Sequence, residues 1–154
     1  MKSMKSVFAM ALIVASLFAV IIVPAYASSK DSLIQDFHIK KGFTNYTEIR
    51  SKDDTSACYL RVKKSNGHSV YARAMACGKE RIVENQTVDR NGKAADYVSC
   101  PEGGKYSIHS RIKENGYGYA TLAFKTDYFW GTSIRGEWSP DSRYQHEEPN
   151  VIYK

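Results

Sequence analysis

The chain has 154 residues, 43% of them hydrophobic and 25% charged, with 22 basic and 16 acidic side chains for a net charge of +6. That is enough chain for one domain with one core, and its apolar content excludes a disordered polymer. A modest positive charge favours anionic surfaces such as cell-wall polymers, acidic lipids or nucleic acid. Acids and bases alternate throughout, however, which reads first as a soluble mixed-charge surface, and no nucleic-acid partner is expected.

Residues 1–27 have the order of an export signal. Lys2 and Lys5 precede an apolar run over 7–23 that carries no charge, Pro24 breaks it, and Ala25-Tyr26-Ala27 offers small residues at the two positions a signal peptidase reads. Cleavage after Ala27 leaves residues 28–154, a chain of 127 residues with 20 basic against 16 acidic side chains and a net charge of +4. The expected location is therefore outside the cell or at its envelope, in an oxidising space. No other stretch approaches the roughly 18 apolar residues of a membrane span, so no stable span is expected after cleavage. The apolar run is long for a signal, and an uncleaved N-terminal anchor is the alternative.

Beyond the signal, residues 28–36 form a polar, loose lead-in, with a short helix near 33–37 as an alternative. From there the pattern is β. Phe37-His38-Ile39 alternates and Gly42 punctuates. Phe43, Asn45, Thr47 and Ile49 share a face, and 51–54 is a charged turn. Cys58, Leu60 and Val62 alternate with Tyr59, Arg61 and Lys63. Val70, Ala72, Ala74 and Ala76 make a small-residue stripe suited to close packing against a second sheet. Residues 82–88 form a weaker strand. Turn signals follow at Asn91-Gly92 and 101–104, then alternation over 106–113, a turn at Asn115-Gly116, and a strand over 119–125 with Ala120, Leu122 and Phe124 on one face. Ile134, Gly136 and Trp138 share the last strand's face. Ser139-Pro140-Asp141-Ser142 suits a type I turn, and the tail 143–154 is charged and expected to be loose. Short strands between turns, with no sustained helical stripe, predict one antiparallel β-sandwich, or else a small β-barrel.

Cys58, Cys77 and Cys100 leave one pair and a spare. Asn66-Gly67 suits a type I′ hairpin turn between strands 57–63 and 69–77. That register sets Cys58 opposite Met75 and Cys77 diagonal to Cys58, roughly 7–8 Å away and long for a disulfide. The expected bridge is therefore Cys77–Cys100, contributing about 3 kcal/mol through loop closure, with Cys58 as a buried spare. Three buried thiols are the alternative.

Motifs for catalysis are missing. There is no G-x-S-x-G elbow, no Gly-rich phosphate loop, no H-E-x-x-H helix and no paired Cys or His at zinc spacing. His146-Glu147-Glu148 reads as a solvated charge cluster rather than a metal site. Cys58 falls on the apolar face, which makes it a structural thiol rather than the partner of His109. Glu114 and Glu137 are candidates for a two-carboxylate hydrolase, but nothing in the sequence makes them converge. Asn45-Tyr46-Thr47 and Asn85-Gln86-Thr87 match glycosylation sequons and are expected unmodified in a chain of bacterial character.

The aromatic residues are more informative. Tyr128-Phe129-Trp130 places three rings in succession between two strands, and alternation forces at least one outward. Exposed aromatics on a loop suit sugar stacking, partner anchoring or insertion at a membrane interface, whereas buried ones would plug one end of the sandwich.

The strings Tyr106-Ser107-Ile108, Glu114-Asn115-Gly116-Tyr117, Tyr119-Ala120-Thr121-Leu122 and Gly136-Glu137-Trp138-Ser139-Pro140-Asp141-Ser142 give the C-terminal half a recognisable pattern, and the Lys-Asp-x-Thr-Ser of stretch 50–59 joins it. Over residues 43–142 the chain resembles a group of small secreted proteins of Gram-positive bacteria that end in a Gly-x-Trp-Ser-Pro-Asp-Ser motif. The resemblance carries over no catalytic residue. Some similar proteins lie near bacteriocin-type transporter genes, which implies competition or immunity by association. The motif reads as structure, with Trp138 as a core anchor and Pro140-Asp141 as the stop of the last strand.

Together these readings predict a secreted protein without enzymatic activity, cofactor or metal. It would act by contact with a cell-envelope polymer or a protein partner through Tyr128, Phe129, Trp130 and Arg135. A bacteriocin-like toxin or associated immunity factor, and a small extracellular hydrolase, are the alternatives.

Overall fold

A computed structural model of the protein describes residues 32–142 and 151–153, and among these every regular element is a strand. In chain order they are β1 (Ser32–Ile39), β2 (Asn45–Tyr46), β3 (Arg50–Ser51), β4 (Cys58–Lys64), β5 (Tyr71–Cys77), β6 (Ile82–Asn85), β7 (Val98–Ser99), β8 (Lys105–Ile108), β9 (Tyr119–Lys125), β10 (Thr132–Ser139) and β11 (Val151–Tyr153). One sheet runs β1-β10-β4-β8-β11. The other runs β2-β9-β5-β6, with β3 also on β9 and β7 also on β5. Pairing is antiparallel except between β11 and β8. The fold is all-β, and one of its two sheets is strongly curled, as in a sandwich or small barrel.

The core lies between the sheets and follows the period-two pattern. Leu60 and Val62 of β4 and Ile134 and Trp138 of β10 pack against the Val70–Ala76 stripe and against Leu122 and Phe124 of β9. The alanines of β5 are fully buried because a methyl group is all the space between the sheets allows there. Gly136 has the same cause: a Cβ at this position would overlap the carbonyl oxygen of Arg61 on β4, where the β10–β4 register breaks.

Four expectations need correction. Asn66 and Gly67 do take the two positive φ angles of the expected turn, +56° and +72°, and His68 N donates to Ser65 O at 3.2 Å. The turn nevertheless makes no hairpin. It carries the chain from one sheet to the other, so β4 pairs with β10 and β8 while β5 pairs with β9, β6 and β7. Cys58 therefore lies opposite Ile108 rather than Met75. Turn chemistry sets local dihedrals; the two apolar stripes gain more by facing each other across the core than by pairing edge to edge.

The predicted Cys77–Cys100 bridge is absent for a geometric reason. Cys100 N donates to Val70 O at 2.8 Å, whereas Cys77 closes β5 opposite Tyr119. Seven residues of strand separate those points, roughly 20 Å at the usual rise, against a Cα limit of about 7 Å for a disulfide. All three cysteines are buried thiols.

Residues 32–36 are neither loose nor helical: they belong to β1, which pairs with β10 through a bulge at Gln35-Asp36. Lastly, 151–153 of the expected loose tail form β11. Residues 1–27, 143–150 and His146-Glu147-Glu148 lie outside the described residues.

Candidate functional site

Three connections between the sheets meet at one end of the molecule: 40–44 after β1, 65–70 after β4 and 126–131 after β9. They are tied to one another. The Thr126 hydroxyl donates to Ser69 O at 2.8 Å and accepts from Tyr128 N at 3.2 Å. The Thr132 hydroxyl donates to Ser65 O at 2.8 Å. The Tyr128 ring stacks on His68 with centroids 3.5 Å apart and planes 12° from parallel. From the far side, the Glu102 carboxylate accepts Ser65 N at 2.7 Å and Gly67 N at 3.0 Å, and these donors hold its pKa below the ordinary carboxylate value.

On this support sits a turn closed by Gly131 N donating to Tyr128 O at 3.0 Å. Phe129 and Trp130 fill its two central positions, so both side chains project from the fold. They are 67% and 76% exposed, against 38% for Tyr128. Their rings meet edge to face, centroids 4.9 Å apart and planes at 89°. Gly131 has φ +76°, and a Cβ there would lie 2.5 Å from Ile39 O, so only glycine lets this turn sit against the end of β1. The aromatic run is thus presented to solvent rather than plugging the sandwich.

The neighbouring turn adds what the sequence did not single out. Lys41 Nζ stands 5.1 Å from the Phe129 centroid, and Phe43 is 67% exposed. Between this turn and β9 runs an open groove of about 420 Å³ with Tyr97 among its walls. Tyr97 is flanked by two cations, Lys125 Nζ at 4.2 Å and the Arg73 guanidinium at 4.4 Å from its ring centre. Its hydroxyl lies 3.3 Å from Thr44 Oγ1. Each such cation–ring contact contributes about 0.5–1 kcal/mol at an exposed site. Arg73 is neutralised by Asp96 at 2.8 Å. The Lys40-Lys41-Gly42-Phe43 string was the one sequence signal for this part; Tyr97 and Lys125 reach it only through the fold.

Arg135, predicted beside the aromatics, is engaged elsewhere. Its guanidinium donates to Asp36 at 2.7 Å at the β1 bulge, and this hydrogen bond lowers the Asp36 pKa. It lies three residues into β10 from Thr132, roughly 10 Å along the strand.

The candidates for catalysis are not brought together either. Glu137 faces outward from β10 and is ion-paired with Lys63 and, at 3.8 Å, Arg61; Glu114 is exposed in the turn after β8. Burial raises the Cys58 pKa and pushes Cys77 up to about 11, so both are protonated and unreactive at neutral pH. Among the described residues, no three His, Cys, Asp or Glu side chains converge as metal ligands do.

No curated protein matches the chain. Residues 22–142 match the model of a protein family described as "Protein of unknown function (DUF2712)", a match that closes on the last residue of the Trp-Ser-Pro-Asp-Ser motif. The chain belongs to that family.

Proposed function

We propose that this is a secreted protein without enzymatic activity, which works by contact with a component of the cell envelope or a protein partner held there. The contact surface is the end carrying Tyr128, Phe129 and Trp130, with Lys41 supplying the cation that Arg135 was expected to supply. The observation that carries the reading is the exposure of Phe129 and Trp130 on a turn fixed by Gly131. Large rings held rigidly in solvent cost stability and solubility unless something covers them, and rigidity removes the ordering cost of binding.

The test is sedimentation of the purified protein with envelopes of Gram-positive cells. The wild type should co-sediment and the Phe129→Ser/Trp130→Ser variant should stay in the supernatant while keeping its urea midpoint. Equal sedimentation of both, or none of either, ends the proposal. A variant that no longer folds would show instead that the rings are structural.

A further inference from the structure

We infer that the partner of this end is a lipid bilayer surface bearing anionic headgroups, with Phe43, Phe129 and Trp130 entering the interface and Lys41 and Lys125 holding the headgroups. The inference rests on the contact reading above and narrows its partner to one class.

Ring geometry argues first. Phe129 and Trp130 stand at 89° to each other, so they cannot both lie flat against one extended chain of sugar rings. A platform for a wall polysaccharide needs faces in a common plane. An apolar–aqueous interface has no such requirement: it rewards burial of ring area in any orientation, and it is where tryptophan settles in membranes.

Position argues next. Phe43, Phe129 and Trp130 lie on two adjoining turns at one tip of the sandwich, each at least two-thirds exposed. Both turns are closed by backbone hydrogen bonds, Phe43 N to Lys40 O at 3.3 Å and Gly131 N to Tyr128 O at 3.0 Å. The rings therefore meet a surface already ordered.

Charge selects the kind of surface. Lys41 and Lys125 are set around these rings and the groove behind them, with Asp127 as the acid among them. Arg73 brings no net charge, being paired with Asp96. The excess is positive, and each lysine near an anionic leaflet strengthens partitioning about fivefold.

The chain contains two tryptophans; Trp138 is 1% exposed, so a lipid-induced change in emission reports Trp130. The experiment mixes the purified protein with vesicles of phosphatidylcholine alone, or of phosphatidylcholine with about one-third phosphatidylglycerol, and reads flotation and emission. The expected result is flotation and a blue shift with the anionic vesicles, weakened by salt and far smaller with the neutral ones. Lys41→Glu/Lys125→Glu should lower partitioning by roughly two orders of magnitude or more. Phe129→Ser/Trp130→Ser should not float, with its remaining Trp138 emission unchanged as evidence of the fold.

Three outcomes overturn the inference: no flotation, equal flotation with both lipids, or flotation that survives Phe129→Ser/Trp130→Ser. The last would place the membrane contact elsewhere in the chain. Two companion measurements separate this failure from failure of the contact reading. Binding to lipid-free wall material that is lost in Phe129→Ser/Trp130→Ser, or to envelopes only until they are treated with protease, overturns the lipid assignment and leaves the contact site standing. No binding to vesicles, wall or envelopes overturns both.

Discussion

Lys52 Nζ lies 3.1 Å from Asp141 Oδ1, and both side chains are buried. The ammonium has an acceptor for each of its three protons, since Ser56 O and Pro140 O stand at 2.6 and 2.8 Å. The carboxylate in turn accepts Asp53 N at 3.1 Å. Ser142 N donates to Ser56 Oγ at 2.8 Å, and Arg50 donates to Trp138 O at 3.3 Å with its guanidinium 5.5 Å from the Trp138 ring centre. The Lys-Asp-x-Thr-Ser and Trp-Ser-Pro-Asp-Ser strings are therefore two halves of one lock, at the end of the sandwich opposite the aromatic turns. Pro140-Asp141 does more than stop a strand.

Removing one member of a satisfied buried pair leaves the other charge without a partner, at about 3–5 kcal/mol. Lys52→Met and Asp141→Asn should each lower unfolding free energy by about that amount in urea titrations, and the double variant should recover part of the loss. Partner binding should be unchanged where the variant is folded, because the length of β10, roughly 25 Å, separates the lock from Trp130.

Gly131→Ala tests whether the aromatic turn is built or incidental. Its φ of +76° and the 2.5 Å approach of a Cβ to Ile39 O together cost about 1–3 kcal/mol if the backbone holds. The cheaper response is for the turn to lift off β1. Binding should then fall about tenfold or more, while the urea midpoint drops by less than for the lock variants. A variant that loses neither binding nor stability would show that the turn's position against β1 is unimportant.

These two sites show how far the sequence could be read. The 72–76 and 120–124 stripes were legible because alternation is local and the core needs it. So was the Asn66-Gly67 turn, because positive φ is a property of those two residues. What the turn joins was not legible, since the choice between pairing β5 beside β4 and facing it across the core depends on strands that follow later in the chain. Lys52 read as part of a charged turn, because the carbonyl and carboxylate that bury it come from Pro140 and Asp141, 88 and 89 residues on. The aromatic run was legible in itself. Its companions Lys41 and Phe43, with Tyr97 and Lys125, come from three separate segments that only the tertiary fold assembles, and Arg135 was displaced from them by an aspartate at a bulge that no pattern announced.

Acid should weaken the fold in a defined window. Glu102, Asp36 and Asp54 all have folded pKa values below their ordinary 4.5, 3.8 and 3.8. A carboxylate with a depressed folded value contributes stability above its unfolded pKa and loses it as pH falls through the folded one. The urea midpoint should therefore be flat near neutrality and decline below about pH 4.5. Glu102→Gln should shallow that decline. Because Glu102 holds the turn against which Tyr128 stacks, its protonation should also loosen the aromatic end, and partner binding should decline over the same window. An unaltered acid limb in Glu102→Gln would show that its hydrogen bonds to Ser65 and Gly67 carry no stability.

The three buried thiols predict a defined redox behaviour. Cys58, Cys77 and Cys100 are each at most 1% exposed, and the strand spacing between Cys77 and Cys100 forbids a bridge without unfolding. Native protein should resist iodoacetamide at neutral pH, and denatured protein should take three alkyl groups. Intact mass without reductant should show no loss of two hydrogens, and a reducing agent should leave the urea midpoint unchanged. Burial also carries a sign at high pH. An acid whose folded pKa is raised stays neutral in the fold while the unfolded chain ionises, so stability should fall as pH rises from about 9, the ordinary thiol value. Cys77→Ala should reduce that alkaline decline by the share belonging to its own thiol, whose folded value is about 11. A mass two hydrogens light would show that two of these thiols pair, and would overturn the prediction.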